Sequence, residues 1–353
     1  MKKSTRFVYG IDLGDRMSHV CELDTRTGEV GLDTKLPTTK ESLGALFGEI
    51  PRRSLVVMEC CGSSPWISRL AVRAGHEVIV ADPRKLRVIW DTTKKNDRRD
   101  ALLLAQAGAE RSMSLVPIRH RSEAVQRHLA VVRARALLVE ARTKLVNGAR
   151  GIVKTEGERL PRCSAESFER NAAQAIPEEL RAALDPVVAA VAALSRAIRE
   201  HDHEIERLGR DVYPVTQLLR EVPGVGVLTS LAFVLVIDDP RRFKRSRDVG
   251  AYLGVVPRQD QSGESDWQLP ITKCGDGLLR RLLVQSAHHV LGPFGKESQL
   301  RTWGLALAAR GGRNAKKRAV VAVARKLAVL LHAMWKSGEH FEPQRGTDAA
   351  KAA

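Results

Sequence analysis

Asp97 and Asp100 stand three residues apart in the segment KNDRRDALLLAQ (95–106), among the cations Lys94, Lys95, Arg98 and Arg99. Residues at that spacing are neighbours on a helix, so both carboxylates fall on one face. Two further acids close apolar segments: Asp12 in YGIDLG and Glu59 in SLVVMEC, the latter just ahead of the turn-forming CGSSP. Two acids at strand ends and two on a helix could all meet at one edge of a sheet. Four carboxylates brought together repel one another unless cations intervene, and divalent magnesium prefers such hard oxygen ligands. A pair of these ions about 4 Å apart clamps the attacking and leaving oxygens of a phosphoryl transfer. Lys94, Lys95, Arg98 and Arg99 would then hold a nucleic-acid backbone beside the metals. Taken singly, each acid also reads as a solvated surface group or a turn residue; it is the set of four that favours metal chemistry.

The elements that must position these residues can be read from periodicity. RFVYGIDLG (6–14) is a buried strand, and SHVCELDTRTGEV (18–30) is its antiparallel partner with a Thr-Gly turn. A helix near 39–49, the strand carrying Glu59, a helix over 65–74 and the strand HEVIVAD follow. Strand alternating with helix predicts a layered α/β domain with a mixed sheet over residues 1–118. Apolar residues at helical spacing predict long helices over 119–150 and 178–208, joined by an irregular stretch, and together these make a helical region over 119–212. In 213–338 the segment LLREVPGVGVLTSLAFVLVI joins two helical patterns through a turn holding Gly224 and Gly226, which resembles a helix-hairpin-helix. A helix near 319–335 closes that domain, and residues 339–353 read as a disordered tail.

Composition sets the partner class. The 353 residues hold 58 Lys and Arg against 41 Asp and Glu, a net charge of +17 with a pI near 10.1. Such a chain attracts polyanions, although basicity alone speaks to association rather than to fold. From Trp267 to Ser337 there are 13 Lys and Arg against 2 acids, with Arg313, Lys316, Lys317 and Arg318 in RGGRNAKKR. Arg241, Arg242, Lys244, Arg245 and Arg247 surround Phe243, while Arg258 opens the segment RQDQSGE and Lys273, Arg280 and Arg281 follow it. These cations are the candidate phosphate contacts, which supply affinity and salt sensitivity without sequence information. Only 15 aromatic residues occur, and they do not interleave with cations as a stacking platform for single strands would. The five cysteines have no paired ligand spacing and read as reduced thiols. His19, His76, His288 and His289 lack companions at ligand spacing and read as packing or surface residues. No run of eighteen apolar residues occurs, and the N-terminus turns polar too soon for a signal peptide, so a cytoplasmic protein without a membrane span is expected.

An aspartate in an N-terminal strand followed by a hairpin is the pattern of the RNase H and RuvC nuclease fold. With YGIDLGDRMSHV, VVMECCGSS and KNDRRDALLLA, and with the later block from VPGVGVLTS to ITKCGDGLLRRLLVQSA, the chain resembles the DEDD transposases of insertion sequences. That family includes Piv-type DNA invertases and RNA-guided bridge recombinases, and the resemblance runs from about residue 6 to 336. It implies a RuvC-like domain, a coiled-coil region and a C-terminal transposase domain that supplies a nucleophilic serine. That serine matches Ser262, in a polar glycine-containing loop, with Ser265 as runner-up; Gln261 and Glu264 depart from the usual serine- and glycine-rich form of the motif. The implied activity is magnesium-dependent strand cleavage and exchange through a phosphoserine link, passing a Holliday-junction-like intermediate. The implied partners are donor and target double-stranded DNA, a structured noncoding bridge RNA and further copies of the chain in a dimer of dimers, at the nucleoid when acting. Two rivals use the same residues differently: a RuvC-like hydrolytic junction nuclease, with water in place of Ser262, and a non-catalytic nucleic-acid-binding protein.

Overall fold

The computed structural model describes residues 5–86, 96–111, 115–262 and 265–344, the side chains of 260–262 and 265–268 excepted. The chain divides into two compact units, residues 1–121 and 122–353.

The first unit is built on a mixed five-stranded sheet in the order β3-β2-β1-β4-β5. Its strands are β1 (Phe7–Asp12), β2 (Met17–Asp24), β3 (Val30–Pro37), β4 (Leu55–Glu59) and β5 (Glu77–Ala81). β1 and β2 pair antiparallel, as do β2 and β3, whereas β4 runs parallel to both β1 and β5. The helices are α1 (Lys40–Glu49), α2 (Ser64–Arg73), the single turn α3 (Pro83–Leu86) and α4 (Asp97–Ala109). β3 is a strand that apolar periodicity does not announce.

Strand alternation sorts the core into two layers. Tyr9, Ile11, Val56 and Met58 pack with Leu43, Phe47 and Ile67 of α1 and α2. Val8, Leu55 and Val57 pack with Leu104, Ala105 and Ala107 of α4 on the opposite face. Each of the larger side chains among these, once buried, contributes about 1.5–3 kcal/mol of hydrophobic stabilisation. α4 comes unusually close to β1 because Gly10 has no side chain: a Cβ there would stand 1.9 Å from the Ala101 carbonyl oxygen. Gly108 on α4 makes the same kind of approach, with the Val57 and Val8 methyls 2.6 and 3.0 Å from where its Cβ would be.

Among its described residues the second unit is helical apart from one hairpin. It contains α5 (Glu123–Thr155), α6 (Phe168–Ala172), α7 (Arg181–Arg207), α8 (Val215–Leu219), α9 (Val227–Ile237), α10 (Asp248–Tyr252), the strands β6 (Pro257–Ser262) and β7 (Ser265–Ile271), then α11 (Gly277–Leu291), α12 (Gln299–Ala309) and α13 (Ala315–Ser337). Val125, Leu129 and Val132 of α5 and Ile205 of α7 share one core with α9, α11 and α13, so the helical region and the C-terminal helices are continuous. α9 is apolar on every side and has nine of its eleven residues buried, which makes it the centre of that core. A second cluster joins the far halves of α5 and α7 through Val146, Val153, Phe168, Leu184 and Val191.

The expected disorder from residue 339 does not hold for the start of that segment. Glu221 accepts hydrogen bonds from the Phe341 N–H at 3.0 Å and His340 Nδ1 at 2.6 Å, and the Gln299 N–H donates to the Pro343 carbonyl at 2.9 Å. Polar composition suggests a tail, but one glutamate and one backbone N–H hold it; residues 345–353 lie outside the described residues. Among the described residues no helix is long and apolar enough to cross a membrane.

Candidate active site

β1 and β4 end side by side. Ile11 and Met58 are their last registered pair, and the next residue on each strand is an acid, Asp12 and Glu59. Alternation decides where these acids project: Asp12 follows the parity of Val8 and Gly10, and Glu59 that of Leu55 and Val57, so both lie on the face covered by α4. On α4 the residues against the sheet are Ala101, Leu104, Ala105 and Gly108. Asp97 and Asp100 lie one turn before Ala101 and Leu104 on that same stripe, at the end of the helix nearest the strand termini. The four acids are therefore brought to one edge and one face of the sheet. Among the described residues no three Asp, Glu, His or Cys side chains stand grouped as metal ligands, so the backbone fixes the shared edge while the carboxylates are not gathered onto a common point.

Local chemistry explains why the acids suit that place. Asn96 caps α4, its side-chain oxygen accepting from the Arg98 N–H at 3.1 Å. Carboxylates in the first turn complement the positive end of the helix dipole, so Asp97 and Asp100 have a structural use apart from any metal. After Glu59 the turn is closed by the buried Ser64, whose Oγ accepts from the Cys61 N–H at 3.1 Å and lies 3.0 Å from His120 Nε2. Burial, with help from Arg69 and Arg121, holds the His120 pKa below its usual value.

The first turn of α4 also carries two ion pairs to β3. Arg98 Nε contacts Asp33 Oδ2, and Lys35 Nζ lies 3.5 Å from Asp97 Oδ2. Asp33 in turn accepts from His19 Nε2 at 2.7 Å, and His19 is the cross-strand partner of Asp12. His19 foremost, then Arg98, keeps the Asp33 carboxyl below its ordinary pKa against a cost of burial. Neither Asp33 nor Lys35 stands out in the sequence; their opposite charges two residues apart, the spacing that shares one face of a strand, are the only signal.

The cations expected to touch phosphate fall into two kinds. Arg99, Lys244, Arg245, Arg258, Lys273, Arg281, Arg313, Lys316, Lys317 and Arg318 are exposed. Others make contacts within the fold. Arg241 pairs with Asp239 at 3.0 Å, Arg242 donates to the Ile237 carbonyl and lies over the Tyr252 ring, and Arg280 donates to the carbonyls of Leu253 and Gly275. Lys94 and Lys95 lie outside the described residues. Ser262 is the last residue of β6 and pairs in register with Ser265 of β7, so it ends a hairpin strand rather than lying in a loop. The polar run PRQDQS hides that strand because it has no apolar alternation. The turn at Gly224 and Gly226 precedes α9, and Gly224 adopts φ +81, a conformation that suits glycine.

The chain is similar to transposases of insertion sequences. A transposase family model of the DEDD IS110 type matches residues 9–156, and the model of the transposase IS116/IS110/IS902 family matches residues 216–301. The chain is 30% identical over 287 residues to a transposase of insertion sequence element IS1328 from Yersinia enterocolitica, covering 79% of this chain and 82% of the relative. It is 28% identical over 350 residues to a probable family 20 transposase of Pseudomonas aeruginosa, covering 95% and 98%. It is 24% identical over 283 residues to a pilin gene-inverting protein of Moraxella lacunata, covering 78% of each.

Proposed function

The chain belongs to the IS116/IS110/IS902 family of transposases, enzymes that recombine DNA, and from that premise we propose that it cuts and rejoins DNA strands through a transient phosphoserine link. In this reading Asp12, Glu59, Asp97 and Asp100 hold two Mg2+ ions and Ser262 is the nucleophile. The observation that carries it is the pairing of Ile11 with Met58, which ends two parallel strands together and sets the acids that follow on the face where α4 begins.

The donor set suits a divalent ion, since all four groups are carboxylates with hard oxygen donors and a combined charge that a metal would offset. Bound there, magnesium would stabilise charge on the scissile phosphate, and a serine brought to it, from the same chain or from another copy, would lose its proton more readily. A serine hydroxyl is a poor nucleophile without such help. Ser262 Oγ forms a bond to phosphorus while the bond from phosphorus to one deoxyribose oxygen breaks; the serine loses its proton and the departing oxygen gains one. The phosphodiester energy is kept in the serine ester, and attack by a second strand's hydroxyl reverses the step and joins the new partner.

The exposed cations would hold phosphate backbones on either side of the reaction. A structured RNA guide and a dimer of dimers rest on the resemblance to bridge recombinases alone, since the charge of +17 favours any nucleic acid without distinguishing RNA from DNA. The place of action in this reading is the nucleoid. The test is to incubate the full chain with candidate guide RNA, Mg2+ and end-labelled donor and target DNA, then denature. Label should stay on the protein, vanish in Ser262→Ala, and be lost along with recombinant product in Asp12→Ala. Free cut ends that are indifferent to Ser262 would assign the chain to hydrolytic junction cleavage instead, and intact shifted DNA would assign it to binding alone.

A further inference from the structure

The two ion pairs that join β3 to α4 have opposite polarity. β3 presents an acid and then a base on one face, Asp33 and Lys35; α4 presents an acid and then a base at its start, Asp97 and Arg98. Asp33 is held in place by His19 on its other oxygen, and His19 stands across the sheet from Asp12. Hence one run of contacts, His19–Asp33–Arg98, links β2 beside the end of β1 to the first turn of α4, and a second, Lys35–Asp97, reaches one of the four acids from the same strand face.

We propose that Asp33 and Lys35 are positioning residues with opposing effects on the metal site, an inference that rests on the reading of Asp12, Glu59, Asp97 and Asp100 as that site. Asp33 anchors Arg98, and Arg98 follows Asp97 directly, so the pair sets where the first turn of α4 stands against the strand ends. Lys35 supplies the positive charge now facing the Asp97 carboxylate. A divalent cation taken up by Asp97 must displace that ammonium, so Lys35 competes with the metal while Asp33 prepares the place for it. Both members of the Lys35–Asp97 pair are about half exposed, with side-chain exposures of 51% and 57%, so the pairing is weak enough to exchange.

The two residues lie on one face of one strand, and damage to the strand would move both in the same direction. The proposal requires different signs. Mn2+ binding to the full chain without nucleic acid, followed by the electron paramagnetic resonance signal of the free ion, reads this without reference to catalysis. Lys35→Ala should bind Mn2+ roughly two- to five-fold more tightly, and Asp33→Asn weaker by a similar factor, the range expected for exposed ion pairs. Asp33→Glu should restore wild-type affinity. Unchanged or weakened binding in Lys35→Ala, or equal loss in both variants, overturns the proposal while leaving the four acids as the site. Mn2+ binding that survives intact in Asp12→Asn would instead remove the site itself.

Discussion

Gly10 on β1 and Ala101 on α4 meet backbone to backbone, with no room for a single methyl between them. The Ala101 carbonyl oxygen would be 1.9 Å, and the Ala105 nitrogen 2.5 Å, from a Cβ at position 10. Neither atom belongs to a side chain that could swing aside, so Gly10→Ala must push α4 off the sheet. Overpacking of this kind costs about 1–3 kcal/mol or more. Urea unfolding should show that loss, and strand cleavage should fall even where the variant remains folded, because Asp97 and Asp100 move with the helix. Gly44→Ala, on α1 with open space around its Cβ position, serves as the control and should retain both.

Removal of single carboxylates separates chemistry from folding. Asp12→Asn, Glu59→Gln and Asp100→Asn should each lower cleavage at least about 100-fold, the scale seen when a group that stabilises the transition state is lost. Far-UV circular dichroism should stay unchanged. Asp97→Asn should fall by less if Lys35 rather than metal claims most of that carboxylate, and a single-turnover cleavage rate measures the difference.

Much of this site is legible in the sequence, because buried parallel strands and helix spacing leave strong marks. VYGID and LVVME read as apolar runs that end in acids, and the i, i+3 spacing of Asp97 and Asp100 is enough to give them a shared helix face. The strand VGLDTKLP is not legible: it lies at the sheet edge, only partly buried, so it carries charge where an apolar alternation would announce it. The hairpin strand that ends in Ser262 is hidden in the same way, by a polar run. Longer-range consequences, such as Glu221 holding Phe341 across 120 residues, leave no local signal at all.

The exposed and the engaged cations should behave differently. Lys316→Ala with Lys317→Ala and Arg318→Ala should weaken DNA binding and flatten its salt dependence by roughly 0.9 in slope for each phosphate left without its cation. Arg280→Ala should lose stability instead, since its guanidinium holds the Leu253 and Gly275 carbonyls at 3.1 and 3.3 Å. Filter binding across a salt series, beside thermal melting, tells the two apart.

His332 gives the second unit a pH dependence of known sign. It is fully buried on α13, its Nε2–H donating to the Pro240 carbonyl at 2.8 Å while Nδ1 accepts from the Ser246 hydroxyl at 3.0 Å. Burial pushes its pKa below the usual value, partly opposed by the Pro240 bond and aided by Lys336. In the unfolded chain the ring takes a proton near pH 6.5. Its contribution to stability is therefore complete above that pH and is lost as pH falls toward the lower folded pKa. Melting temperatures of the wild type should drop between about pH 7.5 and 5.5, the window around that unfolded value, more steeply than those of His332→Gln.

Crystals of the full chain grown with Mn2+, recorded at the manganese absorption edge, would locate the ion itself. Anomalous density should appear at the common edge of β1 and β4, ligated by Asp12 and Glu59 together with Asp97 or Asp100, and should be absent from Asp12→Asn crystals. Manganese bound elsewhere, with these four carboxylates turned to protein cations or water, would contradict the assignment.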